Sequence, residues 1–285
     1  MKLARHADGS GGRGAAAALA SQVHPVFMLP PVAVSVFGGV LAADFSLLRA
    51  TVFAGAVFCS VYTAHVTDGY VDFYVRGEDD SHPLTPRGCA VGFALGTLGF
   101  LVAALALAAL VGPVAALFAV PGWVLAVSHA TVLDTNPVGA TVGYPLGVAL
   151  ALLGGFYAQS RTVSALALSF AGVFLVVLAG VKVVDDAQDY AYDRRIDKRT
   201  VAVVLGRRRA RRVAYGLMTA GLVGVGVFAA VAVFPPSAVG AVGVFAAVAA
   251  VASRADADVA TMLLVRGSYL FLAALLLAVW LRPFA

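Results

Sequence analysis

The sequence predicts an all-α membrane protein: a single bundle of about nine transmembrane helices around a cytoplasm-facing central cavity. Three observations carry this. Of 285 residues, 61% are hydrophobic and only 12% are charged, where soluble domains carry roughly 25% charged residues. Mean hydropathy is +0.92. Long apolar runs recur along the chain, most near the ~20 residues needed to cross a bilayer. In lipid a helix satisfies its own backbone, so a helical bundle is the expected solution.

In order, residues 1–22 are Gly/Ala-rich with scattered charge and read as a flexible cytoplasmic tail. Lys2 and Arg5 could imitate a signal-peptide start, but no continuous apolar stretch follows them. Residues 23–285 then form one polytopic domain. Its apolar runs lie at 23–42, 47–66, 88–110, 112–132, 140–158, 162–184, 212–233, 237–252 and 259–281. The eighth is short and is expected to tilt or to pair closely with its neighbour. Cys59 and Cys89 are apolar filler, too few for a structural zinc site.

Charge sets the orientation. Nine of the twenty Lys and Arg fall between Arg194 and Arg212, which marks that loop as cytoplasmic. The pI near 9.4 therefore reflects topology and not nucleic-acid binding. With the amino terminus inside, 14 of the 15 acidic residues lie at the cytoplasmic side, and the other side keeps only Asp44, Arg49, Arg161 and Arg282. The expected location is the cell membrane, with the active site facing the cytoplasm. No obligate protein partner is evident.

Two acidic clusters stand out. Asp68-Gly69-Tyr70-Val71-Asp72 follows the second run, and Asp185-Asp186-Ala187-Gln188-Asp189-Tyr190-Ala191-Tyr192-Asp193 follows the sixth. Carboxylates four apart share a helix face and repel, and the negative end of an apolar helix disfavours them further. A cation between the clusters would offset both costs. Aspartates without Cys or many His select a hard cation such as Mg²⁺ or Ca²⁺, and Mg²⁺ is typically held by one or two carboxylates plus substrate phosphates. Arg76, Arg87, Lys182, Arg194, Lys198 and Arg199 are the nearby phosphate partners. If the substrate tail is allylic, loss of diphosphate leaves a carbocation that needs a dry site and aromatic faces. Tyr70 and Tyr190, inside the clusters, are the leading aromatic candidates. His65, one turn before Asp68, and His129 could touch the site or serve packing. Arg266, inside the ninth run, could face a polar cavity or snorkel to the interface.

The second cluster and its sequel, Asp186-x-x-Asp189-x-x-x-Asp193-Arg194-Arg195-x-x-Lys198-Arg199-Thr200-Val201-Ala202-Val203-x-Leu205-Gly206, closely resemble the D-x-x-D-x-x-x-D-R-x-x-x-x-R-T-L-x-V-x-L-G pattern of the UbiA family of intramembrane prenyltransferases. The first cluster is a looser match to N-D-x-x-D-x-x-x-D: Asp68 takes the Asn place, Gly69 replaces an Asp, Asp72 matches, and Arg76 stands at the last Asp. His82-Pro83-Leu84-Thr85-Pro86-Arg87-Gly88 is similar to R-P-L-P-S-G, and His24-Pro25 to an R-P entry. At 133–139, where members often carry a basic L-K-R, this chain has Leu133-Asp134-Thr135-Asn136-Pro137.

The resemblance implies Mg²⁺-dependent transfer of a polyprenyl group from an allylic polyprenyl diphosphate to a lipophilic or aromatic acceptor of the quinone-precursor, ether-lipid or carotenoid class. Membrane lipids surround the reaction. The metal would sit on Asp68, Asp72, Asp186, Asp189 and Asp193. Tyr70, Arg76, Lys182 and Tyr190 would act in catalysis. Arg87, Arg194, Lys198, Arg199 and Asn136 would bind the diphosphate. Two rivals remain: a CDP-alcohol phosphatidyltransferase, echoed only by Asp68-Gly69, and a membrane cation transporter using the acidic clusters as ion sites. Transporter sites usually lie near the bilayer midplane, whereas these clusters lie at one mouth.

Overall fold

The computed structural model describes residues 3–4, 12–196 and 198–281, and each apolar run contains a helix. After α1 (Gly12–Ala20) come α2 (Pro25–Val40) and α3 (Leu47–Tyr70), which continues through a wider π-helical turn, Val71–Arg76. Then follow α4 (Pro86–Leu110), α5 (Pro113–Ser128), α6 (Pro137–Ser160) and α7 (Ala165–Gln188). Two short pieces, α8 (Tyr190–Asp193) and α9 (Val201–Leu205), precede α10 (Arg207–Ala230), α11 (Val239–Ala252) and α12 (Ala257–Leu281). Among the described residues, six helices are long and apolar enough to cross a membrane, or seven if α1 and α2, bent by 66°, form one span; α5 and α11 are shorter.

The helices start where local chemistry starts them. Ser46, Thr85, Asn136, Ser164 and Thr200 each accept a hydrogen bond from the backbone N–H three residues on. Proline occupies the first turn of α2, α4, α5 and α6, where it needs no donor and its fixed φ suits the helix. The tail departs from expectation. Its alanine-rich stretch forms α1, and the Leu3 carbonyl accepts from Thr85 N and Oγ1 at 2.9 and 3.2 Å. Alanine is the best helix former, and Gly88 leaves room for that carbonyl, which a Cβ would overlap. Lys2, Arg5 and Arg282 lie outside the described residues.

Close packing uses small residues. A Cβ at Gly38 would run into the Leu152 carbonyl, and one at Gly155 into the Ser35 carbonyl, so α2 and α6 approach backbone to backbone. Small residues at such crossings give the contact that lipid cannot drive by hydrophobicity. The main core joins α2, α6, α7, α10, α11 and α12 through Phe37, Leu152, Phe170, Phe174, Met218, Phe245 and Phe271. A second cluster around Phe53, Phe100 and Leu107 holds α3, α4, α5 and α6 together.

The bundle has two distinct ends. At one, Gln159 exchanges hydrogen bonds with the backbone of Ser46 at 2.8 and 3.1 Å, and Arg161 reaches the Leu110 carbonyl. At the other lie the α3–α4, α5–α6 and α7–α10 connections, beside the helix ends that carry the acidic clusters.

Candidate active site

The clusters ride on the last turns of two helices. α3 and its π turn place Asp68, Asp72 and Arg76 a turn apart each. Gly77, at φ +64°, then reverses the chain so that Glu78 N donates to the Asp72 carbonyl at 2.7 Å. Arg76 lies 3.2 Å from Asp72, 3.9 Å from Glu78 and 3.4 Å from Asp134, and donates to the Ala130 carbonyl at 2.7 Å. On α7, Lys182 Nζ lies 2.9 Å from Asp185 and 2.6 Å from Asp186. The helix breaks at Asp189 and resumes as α8, which buries Asp193 at 1% exposure. Thr200 Oγ1 is 3.4 Å from Asp193 Oδ2, and Lys198 Nζ is 4.0 Å from Oδ1.

Lys198 also lies 3.2 Å from Asp134. Asp134 sits in the turn Leu133–Thr135 between α5 and α6. A continuous chain of charges, Asp72–Arg76–Asp134–Lys198–Asp193, therefore joins the two distant clusters.

A cavity of about 400 Å³ opens beside this chain. Asp68 and Asp72 from the α3 end and Lys182 and Asp185 from α7 line it together with His65, His129 and Tyr144, over an apolar lining that includes Leu178 and Val265. Val61, Ala64, His129 and Tyr144 also border a smaller apolar cavity of about 90 Å³ that continues inward past Ser60, Phe118 and Gly147. A space with charged walls thus adjoins an apolar one.

Acidic groups outnumber basic ones: among the described residues, Asp68, Asp72, Glu78, Asp134, Asp185, Asp186 and Asp193 stand around Arg76, Lys182 and Lys198. Burial pushes the Asp193 carboxyl up to about 6, with Lys198 opposing it. Burial would also raise Asp134, but Lys198, His129 and Lys182 outweigh it and hold that carboxyl below its ordinary value. Burial would lower Lys198, and Asp134 outweighs it. Among the described residues, Asp68 Oδ1, Asp186 Oδ2 and Asp193 Oδ1 are buried with no hydrogen-bond partner. Such oxygens are costly unless a cation satisfies them. Among the described residues, no three His, Cys, Asp or Glu side chains form a complete metal nest. The donor set instead fits a hard divalent ion held partly by carboxylate and partly by substrate oxygen.

The predicted residues divide accordingly. Asp68, Asp72 and Lys182 line the cavity, while Arg76, Asp186, Lys198 and Asp193 belong to the charged network behind it. Asn136 instead caps α6, its Oδ1 accepting from Gly139 N at 2.7 Å. Tyr70 is 38% exposed against Tyr74 and does not line the cavity. Tyr190 is held between the guanidinium groups of Arg194 and Arg207, 5.7 and 5.1 Å from its ring centre, also away from the cavity wall. Asp189, Arg87, Arg194 and Arg199 are exposed. Asp189 is displaced because it falls one residue past the end of α7, where the helical phase is lost. Asp185, three residues after Lys182, takes the cavity-facing place. Asp185 and Asp134 were not among the expected site residues. A lone acid in a short connection, Asp134, was the available signal.

A model described as the UbiA prenyltransferase family matches residues 81–275. Solved structures share the fold. One, of a digeranylgeranylglyceryl phosphate synthase, is 13% identical with a TM-score of 0.69, covering 92% of this chain and 99% of that one. A UbiA homologue from Aeropyrum pernix K1 is 16% identical with a TM-score of 0.69, covering 91% and 96%. A UbiA homologue from Archaeoglobus fulgidus bound to DMAPP and Mg²⁺ is 14% identical with a TM-score of 0.62, covering 90% and 97%. A search of curated proteins gave no match.

Proposed function

Because this chain belongs to the UbiA prenyltransferase family and is accordingly a prenyltransferase, we propose that it moves a polyprenyl group from an allylic polyprenyl diphosphate to a lipophilic or aromatic acceptor. The acceptor classes are quinone precursors, ether lipids and carotenoids. The observation that carries this is the meeting of both acidic clusters around one cavity whose inner end is apolar.

In this reading Arg76, Lys182 and Lys198 hold diphosphate oxygens, and the prenyl tail lies toward Phe118 and Gly147. Asp68, Asp72, Asp186 and Asp193 would hold Mg²⁺, with Asp185 added to them. When bound, the ion supplies charge neutralisation for the departing diphosphate. Carboxyl groups that outnumber the cations around them favour an anion that arrives with such a counter-charge. The apolar walls would keep water from the allylic cation, and Phe27 and Tyr144, which line the cavity, are the aromatic residues that would stabilise it. All nine apolar helices would cross the cell membrane, the shorter α5 and α11 included, with this end toward the cytoplasm. The ion-transport alternative finds no support, since the cavity runs from polar to apolar and not along a polar path.

Membranes containing the protein, given labelled geranylgeranyl diphosphate and extracted lipid acceptors, should release pyrophosphate and label a lipid only when Mg²⁺ is present. Asp72→Ala and Asp186→Ala should each lower the rate at least 100-fold while the protein stays inserted. Full activity in chelator, or in both variants, would refute the metal-clamp mechanism.

A further inference from the structure

Arg76 Nη1 and Lys198 Nζ approach the same atom, Asp134 Oδ2, at 3.4 and 3.2 Å. One oxygen between an α3 guanidinium and a Lys from the α8–α9 connection is the arrangement a diphosphate oxygen would need. Lys198's other carboxylate, Asp193, is more distant at 4.0 Å. Asp134 is 8% exposed, so its charge is screened little by water. It stands on a short turn held by Asp134 N to the His129 carbonyl at 3.0 Å, and its neighbour Thr135 is exposed.

Resting on the prenyl-diphosphate reading above, we propose that Asp134 is an internal competitor of the diphosphate. Its carboxylate and a diphosphate oxygen claim the same two donors, so it weakens pyrophosphate binding and speeds product release. Arg76 keeps its bond to the Ala130 carbonyl and its contact with Asp72 throughout, so it stays in place while exchanging one oxygen for another. The turn that carries Asp134 loosens when the diphosphate takes the donors.

A residue that only positioned Arg76 and Lys198 would give the opposite sign. Removing it would then weaken anion binding. Removing a competitor strengthens it.

The test is calorimetric titration of inorganic pyrophosphate, with Mg²⁺, into the purified full-length protein. Asp134→Asn should bind about tenfold tighter than wild type, and Asp134→Glu should stay within about threefold. In turnover, Asp134→Asn should lower both the donor KM and kcat, with stronger inhibition by pyrophosphate. Unchanged or weaker binding by Asp134→Asn would overturn the inference. A second measurement needs no variant: in wild type, Mg²⁺-pyrophosphate should speed hydrogen exchange at amides 133–136, and slowed or unchanged exchange there would overturn it. If wild type binds no Mg²⁺-pyrophosphate at all, the prenyl-diphosphate reading falls and this inference with it. If wild type binds it and the variant does not bind tighter, this inference alone falls.

Discussion

Asp193 is buried to 1% exposure with its carboxyl raised to about 6 by that burial, against roughly 4 in an unfolded chain. Between those values the folded protein holds a proton the unfolded chain has released. Its stability therefore falls as pH rises from about 4 to about 6, and stays at the lower level above that. The effect is on the order of 2 kcal/mol in metal-free protein. With chelator present, wild type and Asp193→Asn should differ little in melting temperature near pH 4, and the variant should melt higher above pH 6. Parallel curves would assign the pH dependence elsewhere. The motif marks this residue as a candidate, but its burial is not legible there. Gly69 shows the same limit. Its departure from the family pattern is visible in the sequence; its reason is not. A Cβ there would lie 2.6 Å from His82 Cε1, and His82 is itself buried beside Phe73. That contact exists only because the chain reverses at Gly77.

At the scale of elements, apolar runs located the helices, and hydropathy alone misplaced their ends. α3 and α7 run on through polar residues to Tyr70 and Gln188, past the ends of their apolar runs at 66 and 184. A helix needs backbone hydrogen bonds, not hydrophobicity, to continue. That extension decides which carboxylates share a face, favouring Asp185 over Asp189. Which glycines matter is equally invisible to composition. Gly155→Leu would drive its side chain into the Ser35 carbonyl, where only backbone could yield. It should lower stability by about 1–3 kcal/mol or more, read as a lower melting temperature in detergent. Gly172→Ala, on exposed α7 surface with nothing within 4 Å, should be neutral or stabilising by up to about 1 kcal/mol. Equal losses in both would mean that α2 and α6 do not meet at Gly155.

For the whole molecule, the segregation of charge to one end was legible because a bilayer enforces it along the chain. The link through Asp134 was not, because it depends on three connections meeting in space. Parity gives a test of the proposed number of crossings. Asp80 precedes α4 and Arg195 follows α7, so the two share a side only if an even number of the four helices α4 to α7 crosses. α4, α6 and α7 are each long and apolar enough to cross, and α5 is the short one. In a background with Cys59 and Cys89 replaced by serine, an impermeant maleimide applied to intact cells should label Asp44→Cys and Arg161→Cys. It should spare Asp80→Cys, Arg195→Cys and Arg254→Cys until the cells are opened. Opposite labelling of Asp80→Cys and Arg195→Cys would mean that α5 dips in and returns. The Arg76–Asp134–Lys198 link would then have to form across the membrane, which side chains of that length cannot do, so such a result would remove the site together with the nine-span topology.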